Sequence, residues 1–274
     1  MMIDTGTRLY GVFGNPVSHS LSPVMHNAAF VNAGYNAVYL AFKIEDIAAA
    51  VSAIRTFHVQ GVSVTIPHKV SIMPHLDEID PLAKEIGAVN TVINRNGMLI
   101  GYNSDCLGAV QALMEKTEIA GKKIAVIGAG GAARAIGFGI KAEKGHVTIV
   151  SRSAEKGEML AKAMNADFLP LAAVNADFDI VINTTPVGMT PNTEKMPIPP
   201  DLLRQGMTVM DIVYNPLQTM LLKEAQKRGC ITVDGLSMFV YQGAFQFELW
   251  TGKSAPIDLM RKTVLQALGI TNQP

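Results

Sequence analysis

The sequence is poor in the residues that staple or metallate a chain. Of 274 residues only two are cysteine, Cys106 and Cys230, and neither has a CxxC partner. A disulfide framework and a structural zinc site are therefore not expected, and a reducing cytoplasm is the compartment that fits. The six histidines are scattered without an HxxxH pair, so no metal is expected either. Neither sign of charge is in excess, since Lys plus Arg and Asp plus Glu number 23 each. No net field then draws in nucleic acid or a membrane surface. No uncharged apolar run reaches bilayer length, and the opening MMIDTGTRLYGV lacks the basic stretch and apolar core of a signal peptide. What is present is ample apolar material, 49% of the chain against 17% charged, the composition of a soluble globular protein. At this length two domains are comfortable.

Residues 8–14, 39–44 and 61–67 are apolar runs of strand length, separated by helical stretches from Ser22 to about Ala33 and from Asp46 to about Phe57. For the first helix Ser22 is the expected N-cap, Pro23 the first helical residue and Gly34 the terminator. Strands alternating with helices argue for parallel pairing. TVINRNGMLIGYN then reads as a hairpin about Asn96-Gly97, and a helix follows from near Asp105 to before Gly121. From Lys123 the pattern restarts. KIAVIG, HVTIVS, DIVINTTP, MTVMDIVY and ITVDG are strands, with helices in GAARAIGFGIKAEKG, AEKGEMLAKAMN and LQTMLLKEAQKRG. This is a βαβ series with a fresh start, hence a second domain. Two helices remain, 237–250 and 256–268, too short to make a domain and so expected to pack on one already built.

VIGAGGAARA (126–135) follows a strand and opens a helix. In such a turn Gly128 permits the tight bend, Gly130 lets the backbone approach a pyrophosphate, and Ala133 keeps helix and strand close. The helix N-terminus offers free N–H groups to the phosphates. An NAD site usually carries Asp or Glu about twenty residues on, to bond the ribose 2′-hydroxyl. Here Ser151, Arg152 and Ser153 stand at that place, with Lys156 one helical turn later. Arg152 can form charge-assisted bonds with a 2′-phosphate that a carboxylate would repel, which favours NADP.

The first half supplies polar residues at strand ends. GNPVSHSLSP (14–23) puts Ser20 and Ser22 before a helix N-terminus, a place that suits a small carboxylate, although such serines are commonly caps. GAVNT contributes Asn90 and GYNSD contributes Asp105, each of which is compatible with a plain turn or cap. GVSVTIPHKV places Lys69 where a strand empties into a turn, and taken alone such a lysine reads as a solvated cap.

Together these stretches, with NTTPVGM, DIVYNP and GLSMFVYQGAFQFELW, resemble the shikimate dehydrogenase family in order and spacing from about residue 10 onward. The resemblance implies an α/β fold with an N-terminal α/β substrate-binding and catalytic domain, 1–104 and 238–274. A Rossmann-type NADP-binding domain, 105–237, completes it, the C-terminal helices returning to the N-terminal domain. It implies that Ser20 and Ser22 hold a substrate carboxylate with help from Tyr214. Thr65, Asn90 and Gln242 would bond the ring oxygens, and Lys69 and Asp105 would be the catalytic pair. On the cofactor side Gly128, Ala129, Gly130, Gly131 and Ala132 match the pyrophosphate loop, while Ser151, Arg152, Ser153 and Lys156 match the 2′-phosphate site. Ile212 and Gly235 fall near the nicotinamide. Ser151 departs from the family's commoner Asn-Arg-Thr wording and Lys156 stands where Arg is frequent, but donors and positive charge are kept.

The activity implied is reversible NADPH-dependent reduction of 3-dehydroshikimate to shikimate, in the chorismate pathway to aromatic amino acids. The family contains monomers and homodimers. Lys69 facing a ketone under reduction would stabilise charge developing on its oxygen and deliver the proton. Pairing with Asp105 would favour the charged lysine while burial would oppose it. Two rivals remain open: an NAD-dependent quinate/shikimate dehydrogenase, and a redox-sensing NADP-binding protein without turnover. Quinate users in the family often alter the second serine or carry an acid after the second cofactor strand, and this chain does neither. A sensor has no need of an acid/base pair beside a nicotinamide.

Overall fold

In a computed structural model, residues 3–270 are described, and they form two compact units. One takes in the described residues through Ser104 and again from Gln242 onward; the other is Asp105–Tyr241. The elements of the first half are β1 (Arg8–Gly14), α1 (Ser22–Asn32), β2 (Ala37–Lys43), α2 (Ile47–Thr56), β3 (Gly61–Val64), β4 (Glu78–Ile79), α3 (Pro81–Ile86), β5 (Thr91–Arg95) and β6 (Met98–Tyr102). Then come α4 (Ser104–Met114), β7 (Lys123–Ile127), α5 (Gly131–Ala142), β8 (His146–Ser151), α6 (Ala154–Ala163), β9 (Asp167–Pro170), β10 (Ile180–Asn183), β11 (Thr208–Asp211), α7 (Met220–Lys227), β12 (Ile231–Val233), α8 (Gly235–Thr251) and α9 (Ile257–Ala267).

The first sheet has the order β2-β1-β3-β5-β6-β4. β1 runs parallel to both β2 and β3, but β5 is antiparallel to β3 and to β6. The sheet is therefore mixed, because β5 and β6 are joined by the two-residue Asn96-Gly97 turn, which reverses the chain. α1 begins at Ser22 with Leu21 as its cap and no side-chain capping bond. Ser22 is thus not the N-cap expected from sequence. Instead its own N–H donates to Ser20 Oγ at 3.3 Å. α2 and α3 are capped as the sequence chemistry demands, by Asp46 and Asp80 accepting from the first-turn N–H groups.

The C-terminal helices close on the first unit. α9 packs on α1, and Trp250 of α8 lies against Gly61 so closely that a Cβ there would collide with its indole. Trp250 Nε1 donates to Val92 O at 3.1 Å. Its ring joins Tyr10, Tyr39 and the buried His26, and His26 stacks on Tyr39 at 4.6 Å. Burial pushes the His26 pKa down to about 3, so the ring is neutral. Neither of its nitrogens makes a well-formed hydrogen bond, Gln246 being the polar neighbour.

The second sheet is parallel throughout, in the order β12-β11-β10-β7-β8-β9. The chain leaves β7 toward one edge and returns at β10 toward the other, so the switch point lies between β7 and β10. β9 is a strand that periodicity did not announce. α7 starts at Met220 rather than in the expected LQT stretch, because Thr219 caps it by accepting from Leu222 N. Among the described residues no helix is long and apolar enough to cross a membrane.

Candidate active site

In the second unit, a cavity of about 860 Å³ opens at the switch point. Its floor is the turn after β7, where Gly128 has φ +125° and a Cβ would stand 2.5 Å from Thr184 Oγ1. Nothing lies within 4 Å of the corresponding point on Gly130, which caps α5, so the helix N-terminus is open to a ligand. Ala133 is fully buried against the sheet. Ser151, Arg152, Ser153 and Lys156 line one wall, and both cations are exposed. Ser151 Oγ accepts from Ser153 N at 3.2 Å, and Ser153 caps α6. Thr184, Thr185 and Val187 form the opposite wall, with Lys195 and Met196 from a long loop. Sequence reading missed Lys195, since nothing in an irregular loop says which way it folds. An open helix N-terminus, a glycine cradle and exposed cations fit a phosphorylated dinucleotide.

The walls are tied together by a buried acid. Asp211, at the end of β11, accepts from Asn183 Nδ2 at 2.9 Å, Val213 N at 3.1 Å and Thr219 Oγ1 at 2.7 Å. Burial nonetheless pushes its pKa up to about 6. Asn183 in turn accepts from Thr185 N and Oγ1, so one network sets the loops after β10 and β11. The latter loop carries Ile212 and Tyr214. Tyr214 stacks on Phe239 with centroids 5.1 Å apart, and a Cβ on Gly235 would stand 2.5 Å from Ile212 O.

In the first unit the polar residues gather where β3 ends and β5 begins. Val64 N donates to Asn90 O at 2.7 Å and Val89 N to Lys69 O at 2.8 Å, which holds the TIPHK turn against the start of β5. His68 secures the same turn through a 2.9 Å bond between its Nε2 and Ile44 O. Thr65 and Lys69 are partly exposed on that turn, and Ser20 is partly exposed before α1. Ser22, Asn90 and Gln242 are buried. Ser104 Oγ reaches both Asn90 Oδ1, at 3.1 Å, and Gln242 Oε1, at 3.4 Å. Asp105 follows directly in the first turn of α4. Among the described residues no cluster of three or more His, Cys, Asp or Glu could hold a metal.

A doubly wound parallel sheet with a phosphate cradle at its switch point, joined to a second α/β unit with a polar cradle, defines a dinucleotide-dependent enzyme class. Comparison with known proteins makes it specific. The family "Shikimate dehydrogenase substrate binding domain" matches residues 12–92, "Shikimate / quinate 5-dehydrogenase" 110–214, and "Shikimate 5'-dehydrogenase C-terminal domain" 235–265. A shikimate dehydrogenase (NADP(+)) of Methanococcus maripaludis is 47% identical, over 96% of this chain and 98% of the relative. A shikimate dehydrogenase crystallised with NADP+ superposes with a TM-score of 0.94 at 43% identity, covering 99% of this chain and 98% of that one. The Listeria monocytogenes shikimate 5-dehydrogenase, solved with shikimate and NAD, gives 0.92 at 36% identity, covering 96% and 98%. The chain belongs to the shikimate dehydrogenase family.

Proposed function

We propose that the protein is an NADP-dependent shikimate dehydrogenase, reducing 3-dehydroshikimate to shikimate reversibly on the chorismate route to aromatic amino acids. The observation that carries the cofactor choice is the cavity wall at the end of β8, where Arg152 and Lys156 stand exposed while the neighbouring Glu155 is not among the residues that line the cavity. A 2′-phosphate meets cations there, whereas a bare 2′-hydroxyl lacks the carboxylate it would donate to. Gly128, Ala129, Gly130, Gly131 and Ala132 would receive the pyrophosphate, and Ile212 and Gly235 would flank the nicotinamide. When bound, NADPH supplies the hydride.

In this reading the NADP-binding domain is 105–237, and 1–104 with 238–274 is the substrate domain. Ser20, Ser22 and Tyr214 bind the carboxylate of the small-molecule substrate; Thr65, Asn90 and Gln242 bind its ring oxygens. Lys69 and Asp105 are the catalytic pair. The ammonium of Lys69 stabilises the oxygen of the ketone as charge builds there and gives it a proton, and Asp105 orients the ammonium and a neighbouring hydroxyl. The enzyme works as a monomer or homodimer in the cytoplasm, with neither nucleic acid nor membrane as partner.

The test is the near-ultraviolet absorbance of reduced cofactor, with shikimate or quinate against NADP or NAD. Efficient turnover of shikimate with NADP is expected. A preference for quinate with NAD would replace this reading by the quinate one, and no turnover with any pair would leave a cofactor-binding sensor.

A further inference from the structure

We propose that Gln246, acting through Thr91 and Ser104, is a positioning residue that steadies the Asn90 amide in the orientation set by the Ser104 N–H, with Nδ2 left for the substrate. The inference rests on the shikimate reading of the first unit, because it concerns the groups that would meet the ring oxygens. No residue between Asn90 and Tyr39 in this network is among the substrate contacts named above.

Asn90 Oδ1 lies 2.7 Å from Ser104 N. A backbone N–H can only donate, so the atom there must be the amide oxygen. Thr91 Oγ1 also donates to it, at 2.8 Å, and Ser104 Oγ at 3.1 Å. Hydroxyls can turn either way, however, and these two are 2.9 Å apart with the choice of bonding only each other. Gln246 narrows that freedom. Its Nε2 donates to Thr91 Oγ1 at 2.9 Å and to Ser104 Oγ at 3.2 Å, so neither hydroxyl proton points at it, and at least one of the two is left to Asn90 Oδ1 or Gln242 Oε1.

Gln246 has no freedom of its own. Its Oε1 accepts from Ser63 Oγ at 2.8 Å, and Ser63 Oγ accepts from the Tyr39 phenol at 2.6 Å. Burial pushes the Tyr39 phenol far above its ordinary range, so it remains a donor. Ser22 lies beside the same phenol. The donor direction therefore runs one way, from Tyr39 through Ser63 and Gln246 to Asn90, through residues that are all buried. Its members are neutral, as is the His26 ring beside it. With Oδ1 consumed inside the protein, Asn90 presents Nδ2, a donor, to its ligand. The site then selects a ring oxygen that can accept.

The test compares shikimate and NADP kinetics in Thr91→Val, Thr91→Ser and Gln246→Glu. Gln246→Glu keeps the shape but replaces the N–H donors with an acceptor that draws the hydroxyl protons back. A carboxylate this deeply buried can prevent folding, so Thr91→Val, which keeps the β-branched shape in β5, carries the decision. It should raise KM for shikimate about tenfold or more, the value of a hydrogen bond to a polar partner in a dry site. KM for NADP should not move. Thr91→Ser, which restores the hydroxyl, should stay within about threefold of wild type. In an Asn90→Ala background Thr91→Val should cost nothing further, because the two act through one contact. An unchanged KM for shikimate in Thr91→Val, an undiminished effect in the Asn90→Ala background, or an equal rise in KM for NADP would overturn the inference. Wild-type protein without turnover of shikimate would overturn the functional reading and this inference with it, whereas active wild type with an indifferent Thr91→Val would overturn this inference alone.

Discussion

The two units would offer a polar ligand opposite surroundings. In the first, Asn90, Thr91, Ser104 and Gln246 are at most 3% exposed and uncharged, and the Thr91 hydroxyl and the Gln246 amide donate to acceptors inside the protein. In the second, Arg152, Lys156 and Lys195 stand exposed on the rim of an open cavity. Buried neutral networks are costly when broken, because a lost partner leaves a dry polar group unpaired. Exposed cations cost little to leave empty and are screened by salt. The substrate side is thus built for geometry, and the cofactor side for charge.

The residue that should resist this division most is Lys69, a cation belonging to the unit of neutral contacts. If it stabilises oxyanion charge, Lys69→Ala should lower kcat by roughly 10²–10⁴-fold with a much smaller change in KM. Measured steady-state kinetics with near-normal kcat would return Lys69 to the role of a surface turn residue.

Asp211 crosses the division from the other side, a buried acid in the unit of exposed charge. Its folded pKa of about 6 lies above the ordinary carboxylate value, so the native state holds this proton more tightly than the unfolded chain does. The stability it contributes is therefore full below about pH 4, falls as pH rises through about 6, and is flat beyond. Asp211→Asn removes the ionisation while keeping an acceptor for Val213 N. Relative to wild type the variant should gain stability as pH rises across that window, by on the order of 3 kcal/mol at most. Thermal midpoints of both proteins across the range read this directly, and parallel curves would show that Asp211 does not titrate there.

How much of this was legible beforehand follows the distance over which each feature is specified. The turn after β7 and the Asn96-Gly97 hairpin were readable because a few adjacent residues dictate them. The cap of α1 was misread for a reason equally local: Ser18, Ser20 and Ser22 crowd its start, and the folded backbone passes over all three for Leu21. The Gln246 network was not legible at all. It joins Tyr39, Ser63, Thr91 and Ser104 to a helix more than a hundred residues away, and a glutamine in an apolar helix carries no mark of its partners. Lys195 was hidden likewise, in a loop without periodicity. The site residues named from family resemblance fall near strand ends and helix starts, except Gln242, which is buried midway along α8.

Ser22 sharpens the comparison at smaller amplitude. Because it does not cap α1, Ser22→Ala should leave the thermal midpoint nearly unchanged, contrary to what a cap would give. Loss of a donor to a substrate carboxylate should raise KM for shikimate roughly 10- to 150-fold. A stability loss with KM unmoved would mean that the serine serves the fold, through its neighbour Tyr39, and not the ligand.

The mildest change is expected on the open side, at Arg152. Its guanidinium should meet the 2′-phosphate, which NAD lacks, so Arg152→Ala should weaken NADP by about one to two decades and leave NAD as it was. The fold should not register the change, since Ser153 and not Arg152 caps α6. Since the side chain is exposed, the NADP penalty should also shrink as salt is raised, once the screening length falls below about 10 Å. A buried, structural arginine would show no such dependence. Adding Ser151→Asp should invert the preference, by repelling the phosphate and accepting from the free 2′-hydroxyl. Position 151 can take the carboxylate, because Ser151 Oγ already accepts from Ser153 N and an Asp oxygen can inherit that bond. The measurement is kcat/KM for both cofactors at saturating shikimate, at low and high salt, in wild type and each variant. Equal weakening of both cofactors would move Arg152 to the shared pyrophosphate. A salt-independent loss would show that the cofactor side, too, relies on fixed geometry, and the contrast between the two units would fall.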